Sequence, residues 1–307
     1  MNRWTLGLGL FTAGVLFSAC GVSQMPPGGP TAPAAPAQRA DGAAKRAQQL
    51  YVSTIDGGSV VVYSAAMSPQ LLQTITDGVP RPGGIWVDGH GVLYAVNVPD
   101  SSYQTSLPAY KPGATVPFRT ITDGIVNCGN VAVDAKGNVY VTGVNNATGA
   151  PFLEIYPKGR LSPSETLTIP HKGLAGIGGL AFDSSGALLV GEGIFESVGA
   201  VHRLPPGSQT FTNLKLHDIN GGAIVVDGSG NLYVGGTKSI AIFPPNATKP
   251  SRVIKISGTG VSALALDAAG ELYVGMNETV SVYAPGAKKP ANTFTIPGHV
   301  GGISVSP

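Results

Sequence analysis

The chain has 307 residues, of which only 12% are charged, about half the roughly 25% share of an average soluble domain, and its formal net charge is +2. Such a balance offers no basic stripe for a polyanion, so nucleic-acid binding is set aside. Glycine at 44 and proline at 25 are both abundant beside 43% hydrophobic residues, the mixture that many short strands and many tight turns require. The composition is that of a folded all-β protein.

The first twenty residues form an address. Arg3 gives a short positive start, Trp4 to Phe17 an apolar run too short for a comfortable permanent span, and Ser18-Ala19-Cys20 a close of small residues. Ordinary signal cleavage after Ala19 would want a small residue where Phe17 stands. The stretch resembles a bacterial lipoprotein signal, whose lipobox ends in Ala/Gly-Cys, with Phe17 in place of the usual Leu. That resemblance implies a signal peptide over 1–20, cleavage on the amino side of Cys20, and lipid on Cys20. The protein would then be extracytoplasmic and anchored to the bacterial cell membrane or outer membrane; plain secretion is the alternative. Each buried methylene of a lipid chain contributes roughly 0.8 kcal/mol to such anchoring.

Residues 21–47 are rich in Pro, Ala and Gly, with prolines at 26, 27, 30, 33 and 36 and no hydrophobic period. They read as a disordered tether that lifts the folded part clear of a membrane. The only other cysteine is Cys128, so acylation of Cys20 leaves no disulfide within the chain. Stability then falls to burial, which about 260 residues can supply.

Residues 48–307 repeat one sentence, clearest in Val131 to Val141, V-A-V-D-A-K-G-N-V-Y-V. Alternating apolar residues run into Asp134, a turn closes at Gly137, and a second alternating arm follows, which is a β-hairpin. The turn Asp recurs at 88, 134, 183, 227 and 267, each with Gly three residues later. A third strand ends near a Pro-x-Gly turn, as at Tyr156-Pro157-Lys158-Gly159, and a short fourth follows, as at Leu167-Thr168-Ile169. Four strands per 40 to 50 residues make a β-propeller blade.

The ends count the blades. Leu50-Tyr51-Val52-Ser53 is a second strand with no first strand before it, and Val300 to Val305 is a first strand with nothing after it. The C-terminal strand therefore joins the N-terminal blade, which satisfies an otherwise open edge. The expectation is a six-bladed β-propeller of four-stranded antiparallel blades. The D-x-x-G-N-L-Y-V pattern and its spacing resemble NHL-type six-bladed propellers, of gluconolactonase-like or TolB-like architecture. The resemblance covers 48–307 and speaks to fold, since such propellers host lactonases, lyases and binding scaffolds alike.

Glycines at 83–84, 129, 178–179, 221–222 and 301–302 precede the apolar inner strands, where six backbones crowd one axis. No helix start or Lys-Ser/Thr follows them, so they do not read as a phosphate cradle. The repeated aspartates read as turn formers that bond their own following backbone. The informative positions are those where blades differ. Seven residues before each turn Asp stand Arg81, Asn127, Gly176, Asn220, Gly260 and His299, the last counted from Ser306. Nine residues after it stand Asn97, Gly143, Glu192, Gly236 and Met276, with Thr54 in the first blade. We expect Arg81, Asn97, Asn127, Glu192, Asn220 and His299 to surround the channel mouth and bind a small polar ligand, Arg81 taking an anionic group.

His171, His217 and His299 fall on this face, with Asp77, Asp123 and Asp218 near them in sequence, yet no two histidines share a metal-ligand spacing. By the gluconolactonase resemblance, Glu192 with Asn127 or Asn220 would hold a divalent cation such as calcium. No G-x-S-x-G elbow occurs, and Ser229 sits in a hairpin turn. The expected function is a membrane-anchored, non-catalytic scaffold, monomeric and without cofactor, that binds a protein or a small polar ligand. The alternative is a metal-dependent lactonase or hydrolase acting at the channel mouth.

Overall fold

Alternating apolar residues and regularly spaced turn glycines give strands wherever the repeat predicts them. The computed structural model describes residues 47–98, 105–171, 176–193, 199–219, 221–258 and 260–307. The leader with Cys20, the tether up to residue 46, and Asn220 lie outside the described residues.

Blade 1 contains β1 (Gln49–Thr54), β2 (Ser59–Ser64) and β3 (Leu71–Ile75). Blade 2 contains β4 (Pro82–Val87), β5 (Leu93–Asn97), β6 (Leu107–Tyr110) and β7 (Arg119–Ile121). Blade 3 follows with β8 (Cys128–Val133), β9 (Val139–Val144), β10 (Pro151–Tyr156) and β11 (Glu165–Thr168). Blade 4 is β12 (Ile177–Phe182), β13 (Leu188–Glu192), β14 (Ala200–Leu204) and β15 (Thr212–Asn213). Blade 5 is β16 (Ala223–Val226), β17 (Leu232–Gly235), β18 (Ser239–Phe243) and β19 (Arg252–Lys255). Blade 6 is β20 (Ala263–Leu266), β21 (Leu272–Met276), β22 (Thr279–Tyr283) and β23 (Asn292–Thr295), after which β24 (Val300–Val305) returns to blade 1.

Each blade is a four-stranded antiparallel meander, and blade 1 has the order β24-β1-β2-β3. Ring closure rests on the β1–β24 ladder, in which Val52 faces Ile303 and Leu50 faces Val305. The fold is thus a six-bladed propeller closed by its last strand, as the end sentences of the sequence require.

Six apolar clusters fill the six spaces between blades. Between blades 6 and 1, for example, Tyr273, Val280 and Val282 pack against Leu50, Val52 and Ile303. Full burial of one such Val, Leu or Ile contributes about 1.5–3 kcal/mol, so these interfaces hold the ring by packing, and Cys128, the one cysteine among the described residues, is free.

The turns explain the repeated aspartates. Asp134 Oδ1 accepts the backbone N–H groups of Lys136 at 2.9 Å and Asn138 at 2.8 Å. Asp88, Asp183, Asp227 and Asp267 make the same pair of bonds to the second and fourth residues after them. The glycine three residues on has φ near +80°, a conformation that costs other residues energy.

At the axis the glycines answer a spatial demand. A Cβ on Gly178 of β12 would lie 2.3 Å from the carbonyl carbon of Gly222 beside β16. Only a residue without a side chain lets these backbones meet.

Candidate functional site

The mouth of the channel lies on the face opposite the aspartate turns. Four inner strands enter it through an irregularity: register shifts between Pro82 and Ile85 in β4, Cys128 and Asn130 in β8, and Ile177 and Leu180 in β12. In blade 1 the shift lies between Ser53 and Thr54 of β1. A backbone clasp closes each of these ends. Val98 N donates to Arg81 O at 3.0 Å, Val144 N to Asn127 O at 3.2 Å, Gly193 N to Gly176 O at 3.0 Å, and Ile55 N to His299 O at 2.8 Å. The positions seven residues before the turn are therefore fixed through their carbonyls, which leaves side-chain identity open to vary.

A cavity of about 580 Å³ occupies the mouth. Glycines of the inner strands, such as Gly84, Gly129, Gly178 and Gly301, form part of its wall, and its polar side chains include Arg81, His299, Asp56, Asn130, Thr237 and Asn277. Asp56 Oδ2 accepts from His299 Nδ1 at 2.5 Å. Both side chains are more than half exposed, at 58% and 55%, so the pair orients the imidazole and adds little stability.

Of the six residues expected at the mouth, the structure places Arg81 and His299 on the cavity wall. Asn127 holds its own loop together, with Nδ2 donating to Val144 O at 3.1 Å and Asn146 Oδ1 at 3.0 Å. Asn97 and Glu192 are buried between blades, at 8% and 6% exposure. Asn97 Oδ1 accepts the Arg81 backbone N–H at 2.9 Å, so this side chain positions the Arg81 backbone from behind. Glu192 Oε2 lies 2.9 Å from His202 Nε2 in a buried pair, away from the lumen.

The residues missed are one position further along. Ile55, Val98, Gly193, Thr237 and Asn277 each follow the expected position by one residue, and all line the cavity. Side chains alternate along a strand, so in blades 1, 2, 4 and 6 a count of nine selects a face turned from the cavity and a count of ten its wall, whereas in blade 5 both Gly236 and Thr237 line it and in blade 3 neither Gly143 nor Val144 does. The burial of Thr54, Asn97 and Glu192 beside apolar neighbours follows from the same parity. Asp56 escaped notice because the first blade has no turn aspartate from which to count.

Two buried clusters sit below this face. Tyr110 Oη donates to Asp77 O at 2.5 Å, and Tyr156 Oη lies 2.8 Å from Asp123 O, each tying an inter-blade I-T-D-G connection to the following blade. Tyr156 Oη also lies 2.6 Å from Glu154 Oε2. Burial pushes the Glu154 carboxyl above its ordinary pKa of 4.5; the Tyr156 hydroxyl offsets part of this, and the nearby Asp123 charge adds to it. Burial, with Glu154 beside it, also raises the Cys128 thiol to about 12, so Cys128 stays protonated and unreactive at neutral pH.

Among the described residues, no group of three or more His, Cys, Asp or Glu side chains is placed to hold a metal ion. The Glu192 carboxylate is engaged by His202 and the Asn127 amide by its own loop. Nothing here favours the lactonase-type cation site.

No protein-family model and no curated protein matches the chain. Among solved structures, the chain is similar to a protein of unknown function from Bacteroides caccae, with TM-score 0.59 and 12% identity over 84% of this chain and 98% of that one. It is also similar to the hydrazine synthase of Kuenenia stuttgartiensis, with TM-score 0.54 and 15% identity over 76% of this chain and 72% of that one. At such identities the likeness is one of fold alone.

Proposed function

We propose that this propeller is a lipid-anchored, extracytoplasmic binding module that captures a small polar ligand at its channel mouth without converting it. The observation that carries the reading is the 580 Å³ mouth cavity, a concave site in the size range of small-molecule pockets, with Arg81, Asp56 and His299 at its wall. Arg81 supplies the positive charge for an anionic group, and the Asp56–His299 pair supplies oriented polar contacts. The anchor rests on Cys20 and the lipoprotein-like residues around it, and the tether over 21–47 gives the ring its reach.

Two measurements test the two halves. A thermal-shift screen of small anions on the wild type and Arg81→Ala should give hits that the variant loses by about tenfold or more in affinity, since a charge-assisted bond contributes roughly 1.5–3 kcal/mol. Equal shifts in both proteins for every anionic hit remove Arg81 from the site. Cys20→Ser should move the protein from membranes into the soluble fraction, and retention on membranes ends the lipoprotein reading.

A further inference from the structure

On the turn face, a groove of about 520 Å³ runs between blades 3 and 4, a volume in the range of small-molecule sites. Tyr140, Ile155, Phe182 and Pro205 line it, and each keeps part of its surface exposed. Tyr140 and Phe182 meet edge to face at 5.6 Å and 73°. Among the wall residues two carboxylates, Asp134 and Glu165, stand against one ammonium, Lys136. Arg203, which donates to Ser185 of the wall, is engaged by Asp183 at 2.8 Å.

Blade 5 shows what the framework itself puts at this place. In blade 3, Asp134 Oδ2 accepts from Asn138 Nδ2 at 2.8 Å and from the Tyr140 hydroxyl at 3.2 Å. In blade 5, Asp227 Oδ2 accepts from Asn231 Nδ2 at 2.8 Å and lies 3.4 Å from the Tyr233 hydroxyl. Tyr140 pairs across the sheet with Ile155, and Ile155 with Glu165. Tyr233 pairs in the same way with Ile242, and Ile242 with Arg252. The two blades match at Asp, Asn, Tyr and Ile and differ in the sign of one charge.

The Arg252 guanidinium bridges to the next blade, where it donates to Ala287 O. Burial and Asp227 raise the Tyr233 hydroxyl, and the Arg252 charge offsets part of that rise. In blade 4 the counterpart of Ala287 is Ser208, since each N–H bonds the carbonyl at the start of its turn, Ala284 O or Pro205 O. Ser208 lines the groove. Glu165 is exposed and meets Gln209 of blade 4 at 3.3 Å, Nε2 to Oε2. Burial, then Asp134 and Glu165, push the Tyr140 hydroxyl up to about 12, as an anionic corner does.

We propose that the groove binds a guanidinium group from outside the chain, in the place beside Tyr140, Glu165 and Ser208 that Arg252 fills in blade 5. A guanidinium presents a planar fork of N–H donors, pairs bidentately with a carboxylate and stacks on an aromatic face. The groove lies on the face opposite the mouth, and the mouth reading stands or falls without it.

Calorimetric titration of the full chain with N-acetylarginine amide should give saturable binding. N-acetylcitrulline amide, the same skeleton with a neutral urea, should bind at least about tenfold more weakly. Glu165→Arg copies blade 5 and should abolish binding while the chain stays folded. Glu165→Gln should weaken binding about tenfold and decides the matter if the Arg variant does not fold. Butylguanidine separates the sources: affinity equal to that of the arginine amide assigns a free guanidine compound, and weaker binding assigns an arginine borne on a peptide. Equal affinity for the arginine and citrulline amides, no binding of either, or full binding by either Glu165 variant overturns the site.

Discussion

On the turn face, Asp88, Asp134, Asp183, Asp227 and Asp267 repeat one set of two bonds to the backbone, and the glycine after each repeats one positive φ. At the mouth, the equivalent positions hold Arg81, Asn127, Gly176, Gly260 and His299, and the residues just after the second strands are Ile55, Val98, Gly193, Thr237 and Asn277. The difference has one cause. The turns are held by side chains, so their residues must recur. The mouth is held by backbone clasps and glycine contacts, so its side chains vary without loss of the frame. In this repeat protein, recurrence marks framework and divergence marks the places where binding chemistry can accumulate.

The largest blow to both faces is loss of the ring itself. Deleting residues 300–307 removes β24, exposes the inner edge of β1, and takes Val300 and Ile303 out of the blade 6–blade 1 cluster. The truncated chain should be insoluble or melt more than about 10 °C lower, because at least two buried side chains and a whole ladder are lost. An unchanged melting temperature would sink the closure by strand exchange.

A sharper contrast uses one substitution on each face. Gly178→Ala at the mouth drives a methyl group into the Gly222 backbone, and should cost about 3 kcal/mol, the upper end for overpacking. Gly228→Ala in a turn meets nothing within 4 Å and should be neutral or slightly stabilising. Denaturant midpoints of the two variants measure the difference directly. Equal midpoints would mean that the inner-strand glycines do not set the axis.

The smallest effect concerns the connection that carries Glu154 between the faces. Its carboxyl has a raised pKa in the folded state, so folding favours the protonated form. That stabilisation is present in full below about pH 4.5, the unfolded value, and is lost as pH rises through the higher folded value. Melting temperature should therefore fall over that window, and Glu154→Gln, which keeps a neutral hydrogen-bonding group, should flatten the fall. A Gln variant with the wild-type slope would place the titration elsewhere.

Much of this molecule was legible before any coordinates. The period of the D-x-x-G sentence set the number of blades, and the orphan strands at Leu50 and Val300 set the closure, because a strand without a partner must find one. The crowding at the axis was legible in the glycine pairs. Arg81 and His299 were found because the inner-strand start recurs at a constant distance from the turn. What only the tertiary structure decided is which of two consecutive side chains faces the lumen and which the neighbouring blade. Counting from the turn does not decide between Asn97 and Val98 or between Glu192 and Gly193, because bulges at the strand ends reset the alternation that would tell them apart, and here the polar member of each pair is the buried one. The meeting of Trp86 with Phe182, two blades apart, lies beyond the repeat altogether, since a period describes what every blade shares and that contact belongs to one place in the ring.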